Sequence, residues 1–208
     1  MSNPSRKLAD YVPILTEKRE KKFREVLSKR QPDLTVVMEN VHDPHNIFAI
    51  MRSCDAIGIM EIYIINTQGM KKKGAGNKSS SSANKWVKAH NFSSVEACVL
   101  ALRAKNYKII ATHLASDSKS LYETDLTEPV ALVFGNEKDG VSEAFLPHVD
   151  GNMKIPMVGQ IQSLNVSVAC AVSLYEAYRQ RLQAGHYENT KLTPEQTEEI
   201  YTAWAKKS

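Results

Sequence analysis

The sequence lacks most features of secreted, membrane and metal-binding proteins. Its three cysteines lie on apolar stretches without CxxC spacing, which favours a reducing compartment. No apolar run approaches the roughly 18–20 residues of a membrane span, and the polar stretch 2–10 is unlike a secretory signal. His42 and His45 have no further ligand nearby at metal spacing. We therefore expect a soluble, cytoplasmic protein without a membrane or metal partner.

The glycine pattern of a dinucleotide-binding loop is also missing. The nearest match, GNEKDG at residues 135–140, has Glu137 where GxGxxG has its middle glycine. The crossover after this segment is short as well. A nucleotide-dependent oxidoreductase is therefore disfavoured.

Acidic residues are scarce in two segments. Residues 1–30 hold nine Lys and Arg against four Asp and Glu, and residues 69–90 hold six Lys and no acid, although the formal net charge is only +4. Positive charge confined to one arm and one loop favours a polyanionic partner bound through its phosphates. A solvated surface without a partner is the alternative. In the loop, the candidates for phosphate contacts are Lys71, Lys72 and Lys73.

Apolar runs rich in β-branched residues alternate with helical patterns along most of the chain. The predicted strands are residues 34–39, 62–66, 86–89, 108–112, 129–134 and 153–157. Uninterrupted apolar strands are typical of an α/β fold with a mainly parallel sheet flanked by helices on both faces. Ligands of such sheets bind at the carboxyl ends of the strands. We expect the ligand loops after Thr112, Phe134 and Met157.

The length predicts one domain with extensions at both ends. Residues 1–30 form a basic N-terminal helical extension, residues 31–183 the α/β domain, and residues 184–208 a C-terminal helical extension. The helix of the last segment is predicted from the capping box that begins at Thr193.

The stretch 154–183 predicts a strand, a loop containing Pro, Gly and Gln, and a long helix. Ser163 is the candidate N-cap, which would direct the amides of residues 164–166 toward a ligand in front of the helix. A second helix is predicted from Asn46 to Gly58, after a turn at Asp43 and Pro44.

Three motifs occur in order: ENVHDPHNIFAIMRSCDAIG at 39–58, LVFGNEKDGVS at 132–142 and IPMVGQIQSLNVSVACAVSLYEA at 155–177. Together they resemble the three motifs of the SpoU/TrmH group of SPOUT RNA 2′-O-ribose methyltransferases. The flanking segments are most similar to the branch that methylates guanosine-18 of tRNA.

The resemblance implies a fold, a cofactor and partners. The fold is an α/β knot, whose carboxyl end threads through a loop to form a deep trefoil knot. S-adenosylmethionine would be bound bent in the knot, and its methyl group would pass to a ribose 2′-hydroxyl of tRNA. Members of the family are homodimers with composite active sites.

Carried over by position, the resemblance implies three sets of site residues. The catalytic set is Arg52, Asn46, Glu137, Ser163 and Asn165. The cofactor-binding set, which acts through main-chain groups, is Thr112, Gly135, Ile155, Met157 and Leu164. The RNA-binding set is His45, Arg179 and Arg181, beside the three loop lysines.

The resemblance also implies that Arg52 is the general base. Deprotonating a guanidinium at neutral pH costs about 7 kcal/mol, because its pKa lies above about 12. We expect Arg52 instead to bind a substrate phosphate and orient the 2′-hydroxyl, while a phosphate oxygen or water accepts the proton. Asn46 would fix Arg52 or the ribose, and Glu137 would hold the second motif against the pocket.

Two alternatives stay open. The chain could methylate another RNA position, in the tRNA anticodon loop or in rRNA, because enzymes with those substrates share the motifs. It could also be a non-catalytic RNA-binding module. Against this second reading, the four side chains whose loss would mark such a module are intact: Asn46, Arg52, Glu137 and Asn165.

Overall fold

The computed structural model describes residues 13–67 and 82–207. Lys71, Lys72 and Lys73 lie outside these residues. The described strands are β1 (Leu34–Glu39), β2 (Glu61–Ile65), β3 (Lys88–Phe92), β4 (Lys108–Thr112), β5 (Lys119–Ser120), β6 (Val130–Phe134) and β7 (Gly151–Lys154). The α-helices are α1 (Glu17–Leu27), α2 (Pro44–Ala56), α3 (Val95–Arg103), α4 (Val166–Gln183) and α5 (Pro194–Ala205).

The strands form one sheet in the order β3-β2-β1-β6-β4-β7-β5. All six pairings between them are parallel, and in the centre Val37 of β1 lies between Tyr63 of β2 and Val133 of β6. Parallel strands need crossover connections, which the helices provide. The predicted α/β fold with a parallel sheet is confirmed.

Two strand predictions need correction, and one further strand was missed. β7 ends at Lys154 rather than at residue 157. Pro156 cannot continue the strand, because it has no N–H to donate to a neighbouring strand. β3 spans Lys88–Phe92 instead of residues 86–89, and none of its residues is buried, which fits an edge strand. β5 was not predicted because two residues are too short to show a hydrophobic period.

Helices cover both faces of the sheet. Side chains of α2 and α4 pack on one face, where Cys54 and Cys170 are fully buried. α3 packs on the other face and buries Cys98. Burial raises the pKa of the Cys98 thiol to about 12 and raises those of the other two thiols as well. The three cysteines are therefore buried core residues, and burial disfavours their thiolate forms.

The helices of the two terminal segments pack against each other. Phe23 and Leu27 of α1 form a small apolar cluster with Leu192 and with Trp204 of α5. The predicted capping box at Thr193 is present and starts α5. This pair of helices lies beside the segments that lead into β2 and β3, far from the carboxyl ends of β4, β6 and β7.

Candidate active site and cofactor cleft

A cleft of about 370 Å³ opens at the carboxyl ends of β4, β6 and β7. Its walls are residues 112–114, 134–140, 153–155, 157 and 162–164, together with the start of α4. This volume is within the range of about 300–1,000 Å³ that is usual for small-molecule sites. The cleft brings together seven predicted site residues: Thr112, Gly135, Glu137, Ile155, Met157, Ser163 and Leu164. The expectation that ligand loops follow these strands thus matches an actual cavity.

The loop after β7 leaves its main chain open. Residues 155–164 make no hydrogen bond with any other described residue, although they contain the usual amide and carbonyl groups. Most of this segment is exposed to solvent, so water can pair its backbone groups when no ligand is bound. The loop can therefore offer main-chain donors and acceptors to a ligand in the cleft.

The loop after β6 is closed tightly on itself. Asn136 and Gly140 exchange two backbone hydrogen bonds of 3.0 and 2.8 Å. A Cβ atom at Gly135 would lie 2.0 Å from the carbonyl carbon of Gly140, so only glycine fits there. The side-chain amide of Asn136 donates to the main-chain oxygen of Asn40 at 2.8 Å, which connects this loop to the end of β1.

A buried carboxylate strengthens the same connection. Glu39, the last residue of β1, accepts hydrogen bonds from the backbone N–H and the hydroxyl of Ser142. Asn40 follows in the left-handed region with φ 53° and accepts the N–H of Thr67 at 3.0 Å. Sequence reasoning missed these roles for Glu39, Asn40 and Asn136. The sequence signal that could have indicated the role of Glu39 is its position as an acidic residue at the end of a buried strand.

Hydrogen bonds join one residue of each motif into a chain. The amide nitrogen of Asn46 donates to the Glu137 carboxylate at 2.6 Å, and the amide oxygen of Asn46 accepts from Asn165 at 3.1 Å. The oxygen of Asn165 then caps α4 by accepting the N–H of Ser167 at 2.9 Å. Asn46 is buried, whereas its two partners are exposed at the mouth of the cleft. Asn46 thereby fixes the relative positions of the second and third motifs.

Two helix starts differ from the predictions. α4 is capped by Asn165 and not by Ser163, because the side chain of Asn165 accepts the N–H of Ser167 in the first turn of the helix. Ser163 instead lines the cleft in the loop before it. α2 begins at Pro44 with Asp43 as N-cap, so Asn46 lies inside the first turn. Its partner is Glu137, not Arg52.

Arg52 does not line the cleft of its own chain. It is exposed on α2, six residues beyond Asn46, and its guanidinium makes no hydrogen bond or ion pair with another described residue. Six residues correspond to about 9 Å along a helix. The structure therefore brings four of the five predicted catalytic residues together and leaves Arg52 apart.

The predicted RNA-binding residues have different environments. His45 is exposed beside Asn46, and Arg179 is exposed on α4 with an ion pair to Glu176. Arg181 is fully buried, and the prediction that it faces RNA is wrong. Its guanidinium pairs with Asp33 at 2.7 Å and donates to main-chain oxygens, so it is a structural residue.

The described part of the chain shows neither a cluster of metal ligands nor a membrane-spanning helix. In it, no group of three or more His, Cys, Asp or Glu side chains is placed to hold a metal ion. None of its helices is both long and apolar enough to cross a membrane.

Comparison with known proteins identifies the family. Residues 33–175 match the SpoU rRNA Methylase family. The chain belongs to the SpoU methylase family. The resemblance drawn from the three motifs is thus confirmed.

Two relatives match this SpoU methylase over nearly its whole length. A tRNA (guanosine(18)-2′-O)-methyltransferase of Thermus thermophilus is 45% identical over 192 residues, which cover 92% of this chain and 98% of that protein. The crystal structure of the A. aeolicus TrmH/SpoU tRNA modifying enzyme has a TM-score of 0.83 and 40% identity, covering 92% of this chain and 96% of that one.

A second matching structure includes the cofactor. The methyltransferase AviRb from Streptomyces viridochromogenes, in complex with AdoMet, matches with a TM-score of 0.62 and 28% identity over 82% of this chain and 66% of that one. S-adenosylmethionine fits the cleft described above. Phe134, Met153 and Val166 supply apolar walls, and the open backbone of residues 155–164 supplies hydrogen-bonding groups.

Proposed function

We propose that this SpoU methylase transfers the methyl group of S-adenosylmethionine to the 2′-hydroxyl of guanosine-18 in tRNA. The observation that carries the proposal is the cleft, where the unpaired backbone of residues 155–164 meets the hydrogen-bonded chain of Glu137, Asn46 and Asn165. The choice of tRNA and of guanosine-18 is supported by the Thermus thermophilus relative, which this chain matches over 98% of that protein's length.

Cofactor binding is assigned to the loops around the cleft. Main-chain groups at Thr112, Gly135, Ile155, Met157 and Leu164 would hold S-adenosylmethionine, which supplies an activated methyl group on a sulfonium. The tight loop at Gly135 and the hydrogen bonds from Ser142 to the Glu39 carboxylate hold these groups in place before the cofactor binds. A preformed site of this kind lowers the entropic cost of binding.

The remaining chemistry is positioning of the ribose and removal of one proton. Ser163 and Glu137 line the mouth of the cleft, where the nucleotide has to enter. Arg52 would bind a phosphate of the RNA and orient the 2′-hydroxyl, whose proton passes to a phosphate oxygen or to water. Bringing the hydroxyl within about 3–3.5 Å of the reacting carbon supplies much of the rate.

A homodimer is part of the proposal, because Arg52 does not line the cleft of its own chain and its exposed guanidinium has no partner among the described residues. The free guanidinium would complete the cleft of the partner subunit. α4 carries a suitable apolar stripe, since Val168, Tyr175 and Leu182 recur every seven residues and are each about half exposed. This spacing places side chains on one face of a helix. The carboxyl end of the α/β domain would thread through a loop to form the deep trefoil knot. A tRNA substrate also implies that the protein acts in the cytoplasm.

Methylation of a defined nucleotide tests the proposed function directly. Unmodified tRNA is incubated with the protein and labelled S-adenosylmethionine, and the labelled nucleotide is mapped. Label on the ribose of guanosine-18 is expected. Label confined to the anticodon loop or to rRNA would contradict the substrate assignment, and binding of tRNA without any label would indicate a non-catalytic RNA-binding module.

Mixed dimers test the composite site. Arg52→Ala and Glu137→Ala each remove a group from a different half of the proposed site, so each homodimer should be nearly inactive. Mixing the two variants and allowing exchange should restore about one quarter of the wild-type activity, because half of the dimers are mixed and each of these has one intact site. Mixtures that stay as inactive as the parents would show that Arg52 acts within its own chain.

Arg52→Lys tests the role of the guanidinium. Lysine keeps the charge but loses the planar fork that binds phosphate in two places. We expect a fall in kcat of more than tenfold with little change in S-adenosylmethionine affinity. Full turnover with normal tRNA binding would refute the orienting role.

A further inference from the structure

A second and larger cleft lies at the opposite end of the sheet from the cofactor cleft. Its volume is about 920 Å³, and it opens where β2 and β3 begin. The sheet side is formed by residues 60–61 and 84–89, and the other wall by residues of α5 such as Gln196 and Ala203. We name it the α5 cleft. The proposed methyl transfer does not use it.

The α5 cleft combines aromatic rings with positive charge. Trp86 and Trp204 both line it, with ring centroids 5.2 Å apart in an edge-to-face arrangement. Five basic residues line it against two acidic ones: Arg30, Lys85, Lys88, Lys105 and Lys207 against Glu61 and Glu199. Aromatic rings that stack on bases, next to cations that pair with phosphates, are the usual means of binding single nucleotides of a strand.

Two of these cations are available to a ligand. Lys85 and Lys88 are exposed, and their ammonium groups have no hydrogen-bonding or ion-pair partner within the described residues. Lys105, in contrast, is already paired with Glu61. The positive charge that remains uncompensated is therefore concentrated beside Trp86, on the side of the cleft formed by the segment that leads into β3.

A buried arginine lies in the lining of the cleft. Arg30 is only 1% exposed, donates to Asp55 at 2.7 Å and to the oxygen of Ile59 at 3.0 Å, and its guanidinium lies 4.9 Å from the ring centre of Trp204. Its Nε is buried without a hydrogen-bond partner in the described structure. Buried donors normally have partners. This Nε is closed off from the open part of the cleft, so Arg30 supports the wall of the cleft and is not itself a ligand contact.

The two clefts are close enough for one RNA to occupy both. Four strand spacings of about 4.8 Å separate β3 from β4, and five residues of strand span about 17 Å. The start of β3 is thus about 25 Å from the end of β4. This distance equals about seven steps of a nucleic-acid strand at about 3.4 Å each.

We propose that the α5 cleft binds a nucleotide of the tRNA substrate remote from the methylated ribose. The base stacks on Trp86, and the adjoining phosphates pair with Lys85 and Lys88. The proposal rests on the proposed function, because it takes tRNA to be the substrate. It adds a second contact region at the amino ends of the strands, outside the three motifs.

The test compares two matched lysines. Lys88 and Lys108 are each the exposed first residue of a strand, but Lys108 does not line the cleft. Lys88→Gln should raise the Kd for tRNA about three- to tenfold near 0.1 M salt and lower the slope of log Kd against log salt by about 0.7–0.9. Its KM for tRNA should rise while kcat is retained. Lys108→Gln should leave the slope unchanged. An unchanged slope in Lys88→Gln, or an equal fall in both variants, would overturn the proposal.

Crosslinking tests whether the nucleotide bound in the α5 cleft belongs to tRNA or is a free nucleotide. tRNA with photoreactive 4-thiouridine should crosslink to a peptide containing residues 85–88 of the full-length protein. Crosslinks restricted to peptides of the cofactor cleft would refute the site. Loss of the crosslink at micromolar guanosine monophosphate would assign the cleft to a free nucleotide and would also overturn the proposal.

The outcomes separate this proposal from the proposed function. If the wild type does not methylate tRNA, the proposed function fails whatever the Lys88 variant does. If the wild type methylates tRNA and Lys88→Gln has the wild-type salt slope, only the α5 cleft proposal fails.

Discussion

Replacing Arg181 by methionine should destabilise the protein without a specific loss of RNA binding. The guanidinium is fully buried near the end of α4. It donates hydrogen bonds to the main-chain oxygens of Leu126, Glu128 and Asp33 at 2.8, 2.8 and 3.2 Å, and pairs with the Asp33 carboxylate at 2.7 Å. Methionine fills much of the same volume but provides none of these donors.

The size of the effect follows from what is left behind. Removing one partner of a buried ion pair costs about 3–5 kcal/mol, because the other groups stay buried without their donors. Lys191 still pairs with Asp33 at 2.6 Å, so the carboxylate keeps one cationic partner. We therefore expect about 3–4 kcal/mol, out of a total stability of about 5–15 kcal/mol.

Urea denaturation measures the change. With a slope of about 2–3 kcal/mol per M, the midpoint of Arg181→Met should fall by about 1–2 M at fixed protein concentration. Arg179→Met is the matched control, since that side chain is exposed two residues earlier on the same helix. It should shift the midpoint much less but reduce the salt dependence of tRNA binding. If Arg181→Met kept the wild-type midpoint and lost the salt dependence instead, our structural role for Arg181 would be refuted.

Three further predictions concern the site and the acid stability. Gly135→Ala places a methyl group 2.0 Å from a backbone carbon and should lower S-adenosylmethionine affinity more than 100-fold by calorimetry, whereas Gly159→Ala, with no atom within 4 Å, should bind normally. Asn46→Ala removes both hydrogen bonds that join the motifs and should lower kcat about 10- to 100-fold with a small change in the urea midpoint, and a normal kcat would contradict the positioning role. Burial raises the pKa of Asp33, but the hydrogen bond from Lys191 and the charge of Arg181 outweigh it and hold that pKa below its usual value. A carboxyl group whose pKa is lowered by folding stabilises the protein at pH values above its unfolded pKa of about 3.9. That stabilisation is lost as the pH falls through the lower pKa of the folded state. Between pH 7 and pH 3 the urea midpoint of Asp33→Asn should therefore fall less than that of the wild type, and equal falls would argue against this role.

The fold was predictable where the sequence has a clear period. The long apolar runs of β1 and β6 indicated buried parallel strands, and the capping box at Thr193 indicated the start of α5. Strand ends were less accurate, as at β7, because an apolar residue can line a loop as well as a strand. β5 has only two residues, so no period could reveal it.

The site was predictable as a set of residue types but not as an arrangement. The three motifs indicated Asn46, Glu137 and Asn165, and the structure shows that they are joined by hydrogen bonds. The motifs did not show that Asn46 holds Glu137 rather than Arg52. Partners 91 and 119 residues apart along the chain meet only when the strands are ordered in the sheet.

The sequence by itself determined the α/β class, the family and the loops that line the cofactor cleft, because hydrophobic period and motif spacing are local properties of the chain. Only the tertiary structure decided which polar side chains are buried. Arg179 and Arg181 are alike in sequence and only two residues apart, yet one faces solvent and the other pairs with Asp33 inside the protein. Two residues on a helix are separated by about 200° around its axis, so the packing of α4 against the segments leading into β1 and β6 sets their different roles.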